Sequence, residues 1–442
     1  MVSVEEIKSA IVDREEEMMK ILSSQKIVER ENQEIGKNIF SGVANIITGV
    51  RRCGKSVLAF QLARRGNFGY VNFEDERLAM KAEELNKVLE AVYSLKGDVD
   101  TFVFDEIQNI HGWERFIGRI VPAKKVLLTG SNARLMGREL STHLTGRHMD
   151  FILYPFSFRE FLSYRDIEIE KESLYSTKGV ALMKKFWSEY IQTGGFPPAL
   201  RLGRLFLLEN FRDIVERDVI QRYRIKHSSK LKELARYLIS NPSTEITYNK
   251  LKRMLSLGSA NTVSDWISFL ENSYILFKLE RFSPKLRESA LAPKKVFSID
   301  TGLSNAAGFM MSENRGRMME NAVAVELLRR RDYWRRRWEL FYWKDHRQRE
   351  VDFVIKEGDR VKHLIQVCWK VTPETEKREV EPLLLAMREF GLREGLILTF
   401  DQQKEETVER RRIVYKPVWR WMMEIDEDLH RPPSGRSASG KS

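Results

Sequence analysis

Gly49, Gly54, Lys55 and Ser56 are the residues of the stretch Asn45 to Leu58, N-I-I-T-G-V-R-R-C-G-K-S-V-L, best suited to holding phosphate. Their spacing is G-x-x-x-x-G-K-[ST], after a short apolar run and before a helix-compatible one. The two glycines let the backbone curl so that several N–H groups converge on phosphate oxygens. The helix that follows presents its positive end to the same anion. Lys55 is expected to reach the β- and γ-phosphates and Ser56 to ligate Mg²⁺. The loop as a whole, Gly49, Val50, Arg51, Arg52, Cys53, Gly54, Lys55, Ser56 and Val57, is expected to wrap ATP. The alternative is a glycine turn beside a surface lysine.

A second group lies about 50 residues on. Phe102-Val-Phe-Asp105-Glu106 is an apolar strand that ends in two carboxylates, the Walker B arrangement. Asp105 is expected to hold Mg²⁺ through water, and Glu106 to orient or deprotonate the attacking water. At the tip of the next apolar run, Leu128-Thr129-Gly130-Ser131-Asn132, a polar side chain can position water. Asn132 is the first choice and Ser131 the second, with helix capping as the alternative role. Arg147, in Leu144-Thr145-Gly146-Arg147, suits a finger on a neighbouring subunit's nucleotide or a surface ion pair. Arg51 or Arg52 is expected to meet phosphate or an acid such as Glu74 or Asp75. Cys53 stands at a helix N-terminus, where its pKa is expected to fall, and is read as a small loop residue.

Strand and helix candidates alternate around these groups. Strands are expected at 45–48, 69–73, 101–105, 125–129 and 149–153, with a helix at 56–65. The runs without polar alternation suit parallel strands covered on both faces, so an α/β three-layer domain is expected. A charged helix over 4–33 carries the stripe Ile7, Ile11, Met18, Ile21 and Leu22. The chain has 442 residues, enough for two to three domains. Its net charge of +12 and pI of about 9.4 favour an acidic polymer as partner, nucleic acid first. Two cysteines, Cys53 and Cys368, suggest no disulfide framework and a reducing cytoplasm. Residues 1–35 lack a signal-like apolar segment, no run is long enough to span a bilayer, and no C-x-x-C or H-x-x-x-H pattern points to zinc.

The motif string resembles a family. G-V-R-R-C-G-K-S, Tyr70-Val-Asn-Phe-Glu-Asp-Glu-Arg-Leu78, Phe104-Asp-Glu-Ile-Gln-Asn109, Trp113-Glu-Arg115, T-G-S-N-A and H-L-T-G-R look like the archaeal and bacterial AAA-type ATPases that carry a C-terminal domain of unknown function. The resemblance runs from about residue 40 to 424, with Val50 where the family often has proline. It implies an ATPase core followed by a helical lid. Gly194-Gly195-Phe196-Pro197 and Glu216-Arg-Asp-Val-Ile-Gln-Arg-Tyr223 continue the similarity.

Beyond the core, residues 228–285 read as three helices and a strand arm, a winged helix-turn-helix. In a DNA-reading version its third helix would present Ser259, Asn261, Thr262 and Asp265, with Lys250, Lys252 and Arg253 on phosphates. The absence of Lys or Arg from that helix argues against base readout, and such folds also serve as packing modules. In the C-terminal part, the order is helix 317–331, strands 338–343, 350–355 and 363–369, helix 376–390 and strand 394–399. That order resembles the PD-(D/E)xK restriction-endonuclease-like fold, in which a helix glutamate, a strand aspartate and (E/Q)-x-K bind Mg²⁺ and activate water. Glu326, Asp352 and Gln366 are taken as the matches, in a segment that also holds Glu320 and Glu350. Cys368 replaces the lysine, and Lys370 is expected on the same strand face about 6.6 Å away. Loss of cleavage is the simpler inference. The run Arg329-Arg-Arg-Asp-Tyr-Trp-Arg335-Arg336-Arg337-Trp338 suits phosphates and stacked bases.

The expected divisions are a helical segment at 1–35, ATPase core 36–155, lid 156–227, winged helix 228–300, nuclease-like domain 305–424 and a disordered tail 425–442. The expected function is Mg²⁺-dependent ATP hydrolysis coupled to conformational change, acting on DNA, without membrane association and with a nucleotide-dependent homo-oligomer as a candidate assembly. The rivals are a nucleotide-gated protein-interaction switch and an ATP-regulated nuclease.

Overall fold

The computed structural model of the chain describes residues 2–32, 39–132, 144, 146–168, 174–308 and 315–424. The expected tail 425–442, the end of the first expected helix and most of the segment after Asn132 lie outside them.

Strands β1 (Ala44–Thr48), β2 (Phe68–Asn72), β3 (Thr101–Asp105), β4 (Lys125–Gly130) and β5 (His148–Ile152) form a parallel sheet in the order β2-β3-β4-β1-β5. Each lies within a residue of its expected place. Consecutive side chains leave opposite faces of a strand. Ile46, Val71, Phe104 and Leu128 accordingly join one buried cluster with Val88, Val92 and Ile117. Ile47, Tyr70, Val103 and Leu127 join another with Leu58, Phe60 and Leu62. Burial on both faces is what makes these strands read as unbroken apolar runs.

The N-terminal helix Val4–Ser24 starts with a capping box between Ser3 and Glu6 and packs on the helix Leu85–Lys96 and on β2. It stops at Ser24, short of the expected residue 33, because Gln25 is extended. Asp75 is its main electrostatic anchor. This buried carboxylate accepts from Arg14 Nε at 3.1 Å and Arg77 Nη2 at 2.8 Å, and Arg77 also meets Asp13 on the helix at 2.6 Å.

After β5 come the helices Phe158–Tyr164, Thr177–Thr193 and Ala199–Asp213, the last running into a π-helical stretch, Ile214–Gln221. The turn at Gly194 and Gly195 sits against Asp300, whose Oδ2 accepts from Gly195 N at 2.7 Å. Gly194 has φ +72°, and an added Cβ would lie 2.1 Å from Asp300 Oδ1, so a side chain is excluded there.

The helices Ser228–Ser240, Tyr248–Met254 and Ala260–Asn272 follow, with strands β6 (Thr244–Ile246), β7 (Leu276–Arg281) and β8 (Lys294–Ser298). The C-terminal part contains the helix Arg315–Tyr333, β9 (Trp338–Lys344), β10 (Glu350–Glu357), β11 (Arg360–Val367), the helix Pro373–Glu389 and β12 (Glu394–Thr399), in the expected order. Two strands, β13 (Lys404–Val408) and β14 (Arg411–Pro417), and a closing helix, Val418–Met423, were not expected. Charged residues fill the hairpin between them, which hides its strand pattern.

The segments 228–300 and 305–424, expected as separate domains, are joined through their strands. A single nine-stranded sheet crosses both, in the order β13-β14-β12-β11-β10-β9-β7-β8-β6. The junction is parallel pairing of β7 with β9 through Glu280–Phe341 and Arg281–Tyr342. Phe297 packs on Phe353 across it, with ring centroids 6.0 Å apart.

The hydrogen bonds from Arg77 hold the Asp75 carboxyl down to about 2. A depressed carboxylate stabilises the fold above its unfolded pKa, and that stabilisation is lost as pH falls through the folded value. Asp75→Asn is expected to cost about 2 kcal/mol at neutral pH and to remove this component of acid destabilisation between about pH 4 and pH 2. Urea denaturation at a series of pH values checks both.

Candidate active site

The loop between β1 and the helix Lys55–Ala63 is shaped by backbone that few residues adopt. Gly49 has φ +144°, and a Cβ there would lie 2.1 Å from the Leu153 carbonyl oxygen. Arg52 at φ +69° and Gly54 at φ +104° complete the curl. Lys55 Nζ donates to the carbonyls of Gly49 and Val50, each at 3.1 Å, and so lies folded over the loop. The first turn of its helix, Lys55, Ser56 and Val57, lines a cleft, at the end of a helix where N–H groups lack intrahelical acceptors. That cleft, of about 720 Å³, is lined by Lys55, Ser56, Arg52, Glu106, Arg201 and Arg217 among others.

Asp105 ends β3 directly below the loop and is fully buried. Its Oδ1 accepts from Ser56 Oγ at 3.0 Å and from Thr129 Oγ1, and its Oδ2 accepts from the Tyr70 hydroxyl at 2.6 Å. Burial pushes the Tyr70 hydroxyl well up, so it stays a donor. A hydroxyl beside a carboxylate is an oxygen donor set that fits a hard cation such as Mg²⁺. Glu106 has φ +51°, and its N–H donates to Thr129 Oγ1 at 3.1 Å. Its carboxyl is buried, receives Gln108 Nε2, and is raised by that burial. A raised carboxyl is a better proton acceptor at neutral pH than a solvated one.

Ser131 Oγ lies 3.5 Å from Glu106 Oε2 and 3.4 Å from Asp218 Oδ1. Asn132, the first choice from sequence, is buried, with Nδ2 3.5 Å from the Tyr223 hydroxyl. That hydroxyl also accepts from Asn272 Nδ2 at 3.3 Å, and the Tyr223 ring stacks on Phe269 with centroids 3.9 Å apart. Tyr274, at φ +60°, donates its hydroxyl to Thr48 Oγ1 at 2.8 Å. Two polar links therefore join the nucleotide side of the parallel sheet to the end of the helix Ala260–Asn272. Arg51 does meet an acid: Nη1 is 2.7 Å from Glu74, and Nε is 3.1 Å from Asp218 in the π-helical stretch. Arg52 is exposed.

Arg30, unremarked in the sequence, clamps the loop from outside. Its guanidinium donates to the carbonyls of Cys53 at 3.0 Å and Tyr154 at 2.5 Å, and pairs with buried Glu160 at 2.9 Å. Beside it a smaller cavity of about 220 Å³ is lined by Ile27, Val28, Val57, Leu58, Tyr164 and Pro197. The Cys53 thiol donates to Leu153 O at 3.3 Å, and burial raises its pKa, against the expected lowering. Desolvation outweighs the helix end here. Arg147 is exposed at the start of β5, and its carbonyl accepts from Ala44 N at the end of β1 remote from the loop.

The remaining sequence choices fall elsewhere. Lys250, Arg253 and Asn261 are exposed. Arg336 and Arg337 are exposed too, while Arg335 is half-buried over the Trp338 ring. Arg329 and Arg330 of the same basic run are buried and hold Glu326 together with the carbonyls of Pro155, Trp421 and Glu424, so they are not a phosphate surface. Glu326 is thus committed to Arg329, Arg330 and Arg159, away from Asp352. The helix glutamate near Asp352 is Glu320: both contact Lys295 Nζ, at 2.6 and 3.0 Å, and Glu350 joins them at 2.5 Å. Asp352 Oδ2 accepts from Val367 N, and Gln366 bridges Asp352 N and Glu379. β11 ends at Val367, so Lys370 lies beyond the strand, exposed at the mouth of a cleft of about 960 Å³. Cys368, in the expected lysine position, has its thiol pushed up to about 11 by burial.

A parallel sheet with a phosphate loop after β1 and paired carboxylates after β3 defines an AAA-type P-loop ATPase, and the family model described as "AAA domain" matches residues 42–162. Two models described as domains of unknown function, DUF8612 and DUF4143, match residues 184–314 and 315–419. The chain belongs to the same family as "Uncharacterized protein MJ1544" of Methanocaldococcus jannaschii, with which it is 31% identical over 412 residues, covering 89% of this chain and 91% of that one. A protein of Haemophilus influenzae is 28% identical over 381 residues, covering 80% and 90%. Among solved structures, the Walker-type ATPase of Pyrococcus abyssi is 14% identical with a TM-score of 0.43, covering 64% of this chain and 96% of that one.

Arg30→Ala is expected to cost about 3–5 kcal/mol, because it leaves the Glu160 carboxylate buried and unpaired. Adding Glu160→Gln should recover most of that stability but not the loop's affinity for nucleotide, since the tie to Cys53 stays broken. Chemical denaturation and titration with a fluorescent ATP analogue separate the two effects.

Proposed function

We propose that the protein hydrolyses ATP with Mg²⁺ and passes the nucleotide state to its middle and C-terminal segments, acting on DNA. The arrangement of Ser56, Asp105 and Glu106 beneath the curled loop is the observation that carries this reading. Lys55 holds the β- and γ-phosphates in place of the two loop carbonyls it now meets. Ser56 and Asp105 hold Mg²⁺, which neutralises phosphate charge when bound. Glu106 takes a proton from the attacking water, and Ser131 steadies its carboxylate. Asn132 reports on the γ-phosphate position through Tyr223. The base occupies the apolar cavity lined by Val28, Val57 and Tyr164. Arg147 serves a neighbouring copy, which its exposure far from its own loop supports.

The DNA reading is supported by the net charge of +12 and the exposed Lys250, Arg253, Asn261, Arg336 and Arg337. The segment 228–300 acts as a winged helix-turn-helix, and 305–424 as a nuclease-like domain. Its rival, a switch that gates protein partners, draws support from β7, whose pairing with β9 ties the winged segment to the C-terminal part within one sheet.

Lys55→Ala should abolish ATP binding, and Glu106→Gln should lower turnover by about 100-fold or more while keeping binding. Turnover stimulated by DNA, with affinity falling steeply with salt, supports the DNA reading. Normal turnover with neither effect would replace it with the switch.

A further inference from the structure

The C-terminal cleft ends in an arrangement that the ATPase does not use. Glu320, from the helix Arg315–Tyr333, and Glu350 and Asp352, from β10, converge on the Lys295 ammonium at 2.6, 2.5 and 3.0 Å. An ammonium has three donors and no acceptor, and here three carboxylates satisfy it. Lys295 is 3% exposed, although the cleft beside it opens to solvent. Glu350 also meets Lys344 at 3.3 Å.

We infer that the Lys295 ammonium fills the cation seat of this cleft, so that Glu320, Glu350 and Asp352 are served by an internal cation in place of a divalent metal. Three carboxylates this close repel one another strongly unless a cation lies between them. Lys295 lies between them, and it comes from β8, which reaches this position through the shared sheet. Its neighbour Lys294 bonds elsewhere, to the Ser289 carbonyl at 2.6 Å, as consecutive strand side chains require. With Lys295 present the carboxylates stand at ammonium distance. Among the described residues no group of three or more His, Cys, Asp or Glu side chains is placed to hold a metal ion. Each oxygen would need to move inward by less than about 1 Å to reach a Mg²⁺ or Mn²⁺ ion at about 2.0–2.2 Å.

Two consequences follow. The cluster carries its own cation, and it ties β8 to β10 and the helix Arg315–Tyr333 as one unit. Metal-assisted cleavage of a phosphodiester is closed at this site while Lys295 stays in place, which removes the nuclease rival without touching the DNA reading.

The test is Mn²⁺ binding by the full-length, nucleotide-free chain, followed by the electron paramagnetic resonance signal of free Mn²⁺. Ser56→Ala in every variant weakens the loop's own cation site. The Lys295 parent should show no Asp352-dependent Mn²⁺ up to about 1 mM, and Lys295→Arg should behave the same. Lys295→Met should gain one Mn²⁺ per chain with at least tenfold higher affinity, and adding Asp352→Asn should abolish it. A Lys295→Met chain that folds only when Mn²⁺ is added supports the inference equally. Three results overturn it: one Mn²⁺ on the parent that Asp352→Asn removes, a folded Lys295→Met chain that gains none, or one that stays unfolded in about 10 mM Mn²⁺. None of these readouts involves DNA, so failure here is distinct from failure of the DNA reading.

Discussion

The cleft beside the glycine loop is built on one buried carboxylate. Asp105 receives hydroxyls from three separate elements: Ser56 on the loop helix, Tyr70 on β2 and Thr129 on β4. A buried charge is tolerated only when its hydrogen bonds are met. Those three donors therefore fix the helix and two strands relative to β3. Glu106 inherits its position, because its own N–H bonds the same Thr129 hydroxyl.

The second organising constraint is the long mixed sheet. A pair such as β7 and β8 gains stability by extending a sheet, since its open edge otherwise exposes unpaired N–H and C=O groups. Here β9 covers that edge over Glu280 and Arg281. The same segment reaches the nucleotide side through Tyr274 and Thr48, and through Asn272 and Tyr223. The helix Ala260–Asn272 thus lies between the nine-stranded sheet and two hydroxyl links to the nucleotide side.

The acidic cluster shows where reading a sequence fails. Glu320 and Glu326 are six residues apart on one helix, about 240° around it. That helix is buried on nearly all sides, so no apolar stripe tells the reader which glutamate faces β10. Arg329 and Arg330 mislead for a related reason: a basic run reads as surface, yet both are buried, donating to Glu326 and to backbone carbonyls. Lys295 carries no signal at all. It stands 57 residues from Asp352 on a short strand whose role emerges only when the sheet is assembled.

By itself the sequence determined the parallel sheet, the curled loop, and the positions of Lys55, Ser56, Asp105 and Glu106. These depend on short-range rules: glycine spacing, apolar runs and the residue that ends a strand. The C-terminal element order was legible for the same reason, up to the charged hairpin after β12. Tertiary structure alone decided that Arg30 grips the loop, that Ser131 lies beside Glu106, that two expected domains share a sheet, and that an ammonium sits among three carboxylates. Each of those is a contact between residues far apart in the chain. Local periodicity sets which face a side chain takes, but only the packing of whole elements sets what that face meets.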